Sequence, residues 1–113
     1  MANSRSSHFR TMRILVMYDL PTISKTDIKI YTIFRKKLMN RGFIMLQESV
    51  YIKQCQNPDA VTKNIIYIEK IIPEKGDIRM LCITEKQYQD MKILRGFKSF
   101  NEKLNDKGTL LHF

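Results

Sequence analysis

Arg13-Ile14-Leu15-Val16-Met17-Tyr18-Asp19-Leu20-Pro21 is the stretch on which the fold turns. Ile14 to Tyr18 form a short, nearly unbroken apolar run, which reads as a central strand covered on both faces. Pro21 has no N–H to give a sheet and pushes Leu20 away from helical geometry. The strand therefore stops, and Asp19 sits where the chain leaves the sheet. A carboxylate at that point is a candidate for chemistry; the plainer reading is a strand terminator or a cap for the next helix.

Working outward, Thr22 or Ser24 is placed to cap a helix that runs to Arg41-Gly42. Ile23, Ile30, Tyr31, Phe34 and Leu38 share one face at a period of 3.6, and Lys25, Lys29 and Lys36 share the opposite one. Between 25 and 41 stand Lys25, Lys29, Arg35, Lys36, Lys37 and Arg41 against a single acid, Asp27, and these six are the candidates for nucleic-acid binding. Phe43 to Gln54 is extended by composition, with Glu48 interrupting the apolar register. A bulge, kink or reversal is expected at Gln47–Glu48, so the segment is either one bent strand or two. Asn57-Pro58-Asp59 is a helix start, and Val61, Ile65, Ile68 and Ile72 form its core stripe up to Pro73 and Gly76. Asp77 to Thr84 is a further strand. Thr84-Glu85-Lys86-Gln87 opens a short polar turn or helix, and Lys92–Phe97 reads as an extra edge strand.

With two strands in the middle, this order is that of the split βαβ unit. The fold class expected is α+β, a ferredoxin-like βαββαβ sandwich with helices on one face and an extra C-terminal edge strand. Residues 12–97 make the domain, 1–11 a polar arm or expression scar, and 98–113 a C-terminal extension. So small a sheet leaves one face uncovered, and a homodimer would cover it.

The chain has 113 residues, one ordinary domain. Lys and Arg number 20 against 11 for Asp and Glu, a net +9. That excess attracts polyanions, nucleic acid first and an anionic membrane surface second. No apolar stretch is long enough to span a bilayer, and residues 1–12 lack the apolar centre of a signal peptide. Cys55 and Cys82 read as buried thiols of a reducing cytoplasm. No phosphate-binding glycine loop, zinc-ligand cluster or serine–histidine–aspartate set is present. An RNA-recognition sheet would need aromatics that Asp77–Thr84 lacks. What remains is Asp19. A hard cation such as Mg²⁺ binds through one or two carboxylates plus waters and substrate phosphates. One Asp19 is too little alone, whereas the two of a dimer could share one ion, activating water and neutralising a phosphodiester.

The run Ile14–Pro21 resembles the first strand of the small CRISPR-associated adaptation subunit, the non-integrase partner in spacer acquisition. Gly42-Phe43-Ile44-Met45-Leu46-Gln47-Glu48-Ser49-Val50-Tyr51 is similar to that family's second signature, glycine and an apolar stretch before Ser-Val-Tyr. Its wording looks most like the subgroup that accompanies a single-protein RNA-guided effector nuclease. The resemblance covers roughly Met12 to Phe97. It implies a ferredoxin-like homodimer with Asp19 as metal ligand and Tyr18 as the aromatic before it in a catalytic centre. It further implies Mg²⁺, or another hard divalent cation, shared by the two Asp19, and metal-dependent endonuclease activity on RNA or DNA. In spacer acquisition such a dimer binds duplex DNA and bridges two integrase dimers in a heterohexamer. Lys25 and Lys29 stand where arginine is more typical, and lysine meets phosphate as a point charge rather than a fork. Two readings of different class follow. One is a DNA-binding adaptor for which Asp19 is dispensable. The other is a free-standing, toxin-like endoribonuclease that depends on Asp19.

Overall fold

The computed structural model describes residues 11–96. Four strands form one antiparallel sheet: β1 (Met12–Asp19), β2 (Ile44–Gln47), β3 (Val50–Cys55) and β4 (Asp77–Thr84), in the order β2-β3-β1-β4. Three helices, α1 (Lys25–Asn40), α2 (Pro58–Ile71) and the short α3 (Glu85–Gln89), give the described residues the order β1-α1-β2-β3-α2-β4-α3. This is the ferredoxin-like α+β arrangement, with β1 central as its apolar run requires.

Strand alternation sorts the side chains of β1 onto two faces. Ile14, Val16 and Tyr18 join Phe34 and Leu38 of α1, Ile68 of α2, and Tyr51 and Cys55 of β3 in the core. Leu15, Met17 and Asp19 therefore point to the other face. There α3 covers one end: Glu85 accepts from Arg13 Nε at 2.8 Å and Nη2 at 3.1 Å, and the Arg13 guanidinium lies 3.8 Å from the centre of the Tyr88 ring. Cover on both faces of β1 is thus complete on the helix side and graded on the other. Leu15 is buried, Met17 half-buried and Asp19 exposed.

Local signals set the element ends. Of the two candidate caps for α1, Ser24 acts: its hydroxyl accepts from Asp27 N at 3.0 Å, and Asp27 returns a bond to Ser24 N at 3.2 Å. Asn57 caps α2 through Ala60 N, with Pro58 in the first turn. Phe43 to Gln54 resolves into two strands, β2 and β3. They reverse through Glu48–Ser49, with Ser49 at φ 64 and a register shift between Met45 and Gln47. A serine supplies the left-handed position usually given to glycine or asparagine, which is why no turn residue announced the hairpin.

Three expected core residues are corrected. Ile23 is 94% exposed because α1 begins only at Lys25. Ile30 is 41% exposed, at the rim of a groove of about 230 Å³ that Leu20, Pro21 and Pro73 also line. Ile72 is the extended C-cap of α2 and swings out, and Ile71 packs on the core. The extra edge strand expected over Lys92–Phe97 is also corrected within the described residues: 91–96 form no strand, and Ile93 and Leu94 are both exposed, without the alternation of a paired strand. Phe97 and the extension 98–113 lie outside the described residues, as do 1–10. Among the described residues no helix is long and apolar enough to cross a membrane.

Candidate phosphodiester site at the end of the first strand

Asp19 closes β1, and its register partner across the β1–β4 ladder is Asp77. Directly opposed residues in an antiparallel pair hold their Cβ atoms about 5 Å apart on the same face. Two carboxylates therefore face each other at the exposed corner of the sheet. Arg79, two residues along β4 on that face, donates to Asp77 from Nε at 2.9 Å and from Nη2 at 3.1 Å. This fork holds the Asp77 carboxyl below the usual carboxylate range. The Asp19 carboxylate accepts no hydrogen bond from any described residue, so its lone pairs remain available. The backbone around it is fixed. Tyr18 N donates to Ser49 O at 3.0 Å, tying the strand end to the hairpin. Gly76, at φ +100, packs so closely that a Cβ there would lie 2.9 Å from Asp19 O.

The chemistry of this donor set suits a hard cation only in part. Asp19 is a free, exposed oxygen ligand, and Asp77 is a second one whose charge Arg79 already offsets. Among the described residues no group of three or more potential ligands gathers. The described residues thus offer one free carboxylate and one occupied one at this corner. The remaining ligands of a metal ion would come from water, substrate phosphate or a second copy.

Tyr18 is adjacent in sequence but not in space. Its ring lies on the helix face, edge-on to Phe34 at 5.0 Å and Tyr31 at 6.0 Å and stacked on Tyr51 at 6.2 Å. The residue is 7% exposed, and its hydroxyl is buried without a hydrogen-bond partner among the described residues. Burial pushes its phenol well above the ordinary tyrosine range. The structure does not bring the Tyr18 hydroxyl and the Asp19 carboxylate together.

The six basic residues picked out near α1 divide. Lys25, Lys29, Lys36 and Lys37 are exposed along the helix. Arg35 donates from Nε to the Tyr51 hydroxyl at 2.7 Å, so its fork is anchored against the core. Arg41 donates from Nε to Asn64 Oδ1 at 3.1 Å, at the far end of the helix. Asp77 and Arg79 were missed from sequence. The signal was present: in the βαββαβ order the start of β4 lies beside the end of β1, and Asp77 is the first residue of its strand.

Residues 12–91 match the model of a family described as CRISPR associated protein Cas2. Several relatives carry the name CRISPR-associated endoribonuclease Cas2. The one from Campylobacter jejuni is 42% identical over 102 residues, covering 90% of this chain and 71% of the relative. The one from Acidovorax ebreus is 44% identical over 92 residues, covering 81% and 90%. The one from Treponema denticola is 43% identical over 103 residues, covering 88% and 98%.

Proposed function

Because this chain belongs to the Cas2 family of CRISPR-associated proteins, we propose that it acts in CRISPR adaptation as a homodimer that holds nucleic acid and carries a metal-dependent endonuclease centre at Asp19. The observation that carries the catalytic part is the free carboxylate of Asp19, exposed at the end of a strand whose other residues are buried or half-buried and held in place by its backbone. The relatives' name, endoribonuclease, makes RNA the first substrate to try. A hard divalent cation bound there would polarise a phosphodiester oxygen and acidify a water. The chain's own contribution is a fixed oxygen ligand, an opposing carboxylate held off by Arg79, and a line of lysines on α1 that draws in phosphates. Buried Tyr18 supports the strand end by packing.

The dimer rests on the face of the sheet away from α1 and α2, where Leu81 is 52% and Ile44 63% exposed. The duplex-DNA scaffold role, with the integrase subunit as partner in a heterohexamer, rests on the family resemblance and the +9 charge. A cytoplasmic setting goes with both. The decisive experiment incubates the purified chain with RNA and with DNA, each with and without Mg²⁺, beside Asp19→Asn. Cleavage that needs both Mg²⁺ and Asp19 supports the reading; equal cleavage by the variant removes Asp19 from it. Light scattering on the same samples reads the dimer, and a monomer at micromolar concentration removes the shared ion.

A further inference from the structure

Far from Asp19, two cations converge on one neutral oxygen. Arg41 Nε donates to Asn64 Oδ1 at 3.1 Å, and Lys53 Nζ donates to the same atom at 3.2 Å. Asn64 is only 4% exposed. Its Nδ2 donates to Ala60 O at 2.7 Å and to Cys55 Sγ at 3.7 Å. The amide can face only this way, because neither cation carries an acceptor for an NH₂ group. Asn64 therefore works as a fixed bracket holding two positive groups side by side.

Both are locked further. The Arg41 guanidinium lies over the Tyr67 ring at 4.6 Å from its centre. Lys53 also donates to Arg41 O, and it runs past Gly42, where a Cβ would come within 3.3 Å of its Nζ. Among the described residues neither cation is paired with a carboxylate. The C-terminus of α1 places a negative pole beside them, and a helix end carries only about half a charge. Even that is mostly spent. Backbone N–H groups donate to the carbonyls of Lys37, Leu38 and Met39, and Lys53 takes that of Arg41. Two half-buried unit charges, bonded in place and paired with no carboxylate among the described residues, leave a net positive site with the outer edge of an arginine fork free. Such a fork matches the oxygens of a phosphate, and its ordering cost is already met.

We infer that Arg41 and Lys53, bracketed by Asn64, form a binding site for a phosphodiester of the nucleic-acid backbone. It is separate from the Asp19 corner. Lys53 pairs with Ile14, five residues from Asp19 along β1, or about 17 Å at the strand rise. The inference rests on the reading of the chain as a nucleic-acid protein, and its test reads the site without relying on cleavage.

The isotope-labelled chain is titrated with inorganic phosphate at low ionic strength. The Asn64 side-chain amide and the Arg41 Nε–H signals should shift along a saturating curve. Arg41→Gln should abolish that curve. So should Asn64→Asp, which places a carboxylate between the two cations and fills the anion's place from within. If Asn64→Asp does not fold, Arg41→Gln, altered only at a half-exposed side chain, decides. In the second arm a twelve-base-pair DNA duplex and a twelve-nucleotide RNA are bound over a range of salt. Arg41→Gln should weaken whichever binds by about tenfold and lower the salt slope by about one phosphate's worth. Lys63→Gln, at a lysine already paired with Asp59, should change neither. Phosphate shifts that do not saturate, or that survive in Arg41→Gln, overturn the inference whether or not RNA is cleaved at Asp19. Saturating phosphate shifts with unchanged nucleic-acid binding in Arg41→Gln mark an adventitious anion only and overturn it too. A saturating site that both oligonucleotides use, in a chain that cleaves neither, keeps the inference and discards the catalytic reading.

Discussion

Asp19 and Asp77 face each other directly across the β1–β4 ladder, and among the described residues only Asp77 has an arginine to neutralise it. Like charges opposed in a sheet are unfavourable, and the repulsion weakens with salt. The arrangement therefore carries a cost to the fold that makes sense if Asp19 is kept for a ligand.

Asp19→Asn tests both halves of that statement. Metal-dependent cleavage should fall more than about 100-fold, beyond what losing an outer partner of a ligand costs. Thermal unfolding at low salt should occur at a higher temperature than in the wild type, and the gain should fade as salt is added. A variant that loses cleavage and also unfolds earlier would make Asp19 a structural residue.

Tyr18→Phe should behave in the opposite way from a catalytic change. The hydroxyl it removes is buried and unpartnered, and relieving an unsatisfied group of that kind is worth about 1 kcal/mol or more. Denaturant unfolding should show equal or greater stability, with cleavage intact. A drop in cleavage with unchanged stability would return the Tyr18 hydroxyl to the catalytic centre.

Gly76→Ala should damage the site from behind. At φ +100 an alanine is strained by about 1–2 kcal/mol. Its Cβ would also press on Leu20 Cδ2 at 2.5 Å and Asp19 O at 2.9 Å. The expected result is a lower unfolding temperature together with reduced cleavage, read in parallel with Asp19→Asn.

The Arg13–Glu85 pair sets an acid limit. Hydrogen bonds from Arg13, then from Gln89, hold the Glu85 carboxyl at about 2, against an ordinary 4.5. A depressed folded-state value means that the stabilisation is fully present above about 4.5 and is lost as pH falls toward 2. The Glu85 side chain is 31% exposed, so solvent screening keeps the contribution to about 1 kcal/mol. Glu85→Gln should lower stability at pH 7 by that amount and flatten the pH dependence between 5 and 2, followed by chemical denaturation across that range.

The sequence by itself determined most of the elements and their order, but it left Phe43–Gln54 open between one strand and two and suggested a strand after α3 that the described residues lack. The apolar run before Pro21, the caps at Ser24 and Asn57, and the stripe through Phe34 and Leu38 act over one to four residues, where spacing and local hydrogen bonding decide the outcome. It also singled out Asp19, because a strand stopped by proline exposes the residue at its end. Strand alternation sets Tyr18 on the face opposite Asp19, although the resemblance had implied both for one catalytic centre. Only the tertiary structure decided what surrounds these groups. Asp77 reaches Asp19 through strand register, Glu85 reaches Arg13 across 72 residues, and Asn64 draws Arg41 and Lys53 to a single oxygen. Such meetings depend on how helices and strands stack, a balance of packing over the whole core. Local spacing carries no record of it.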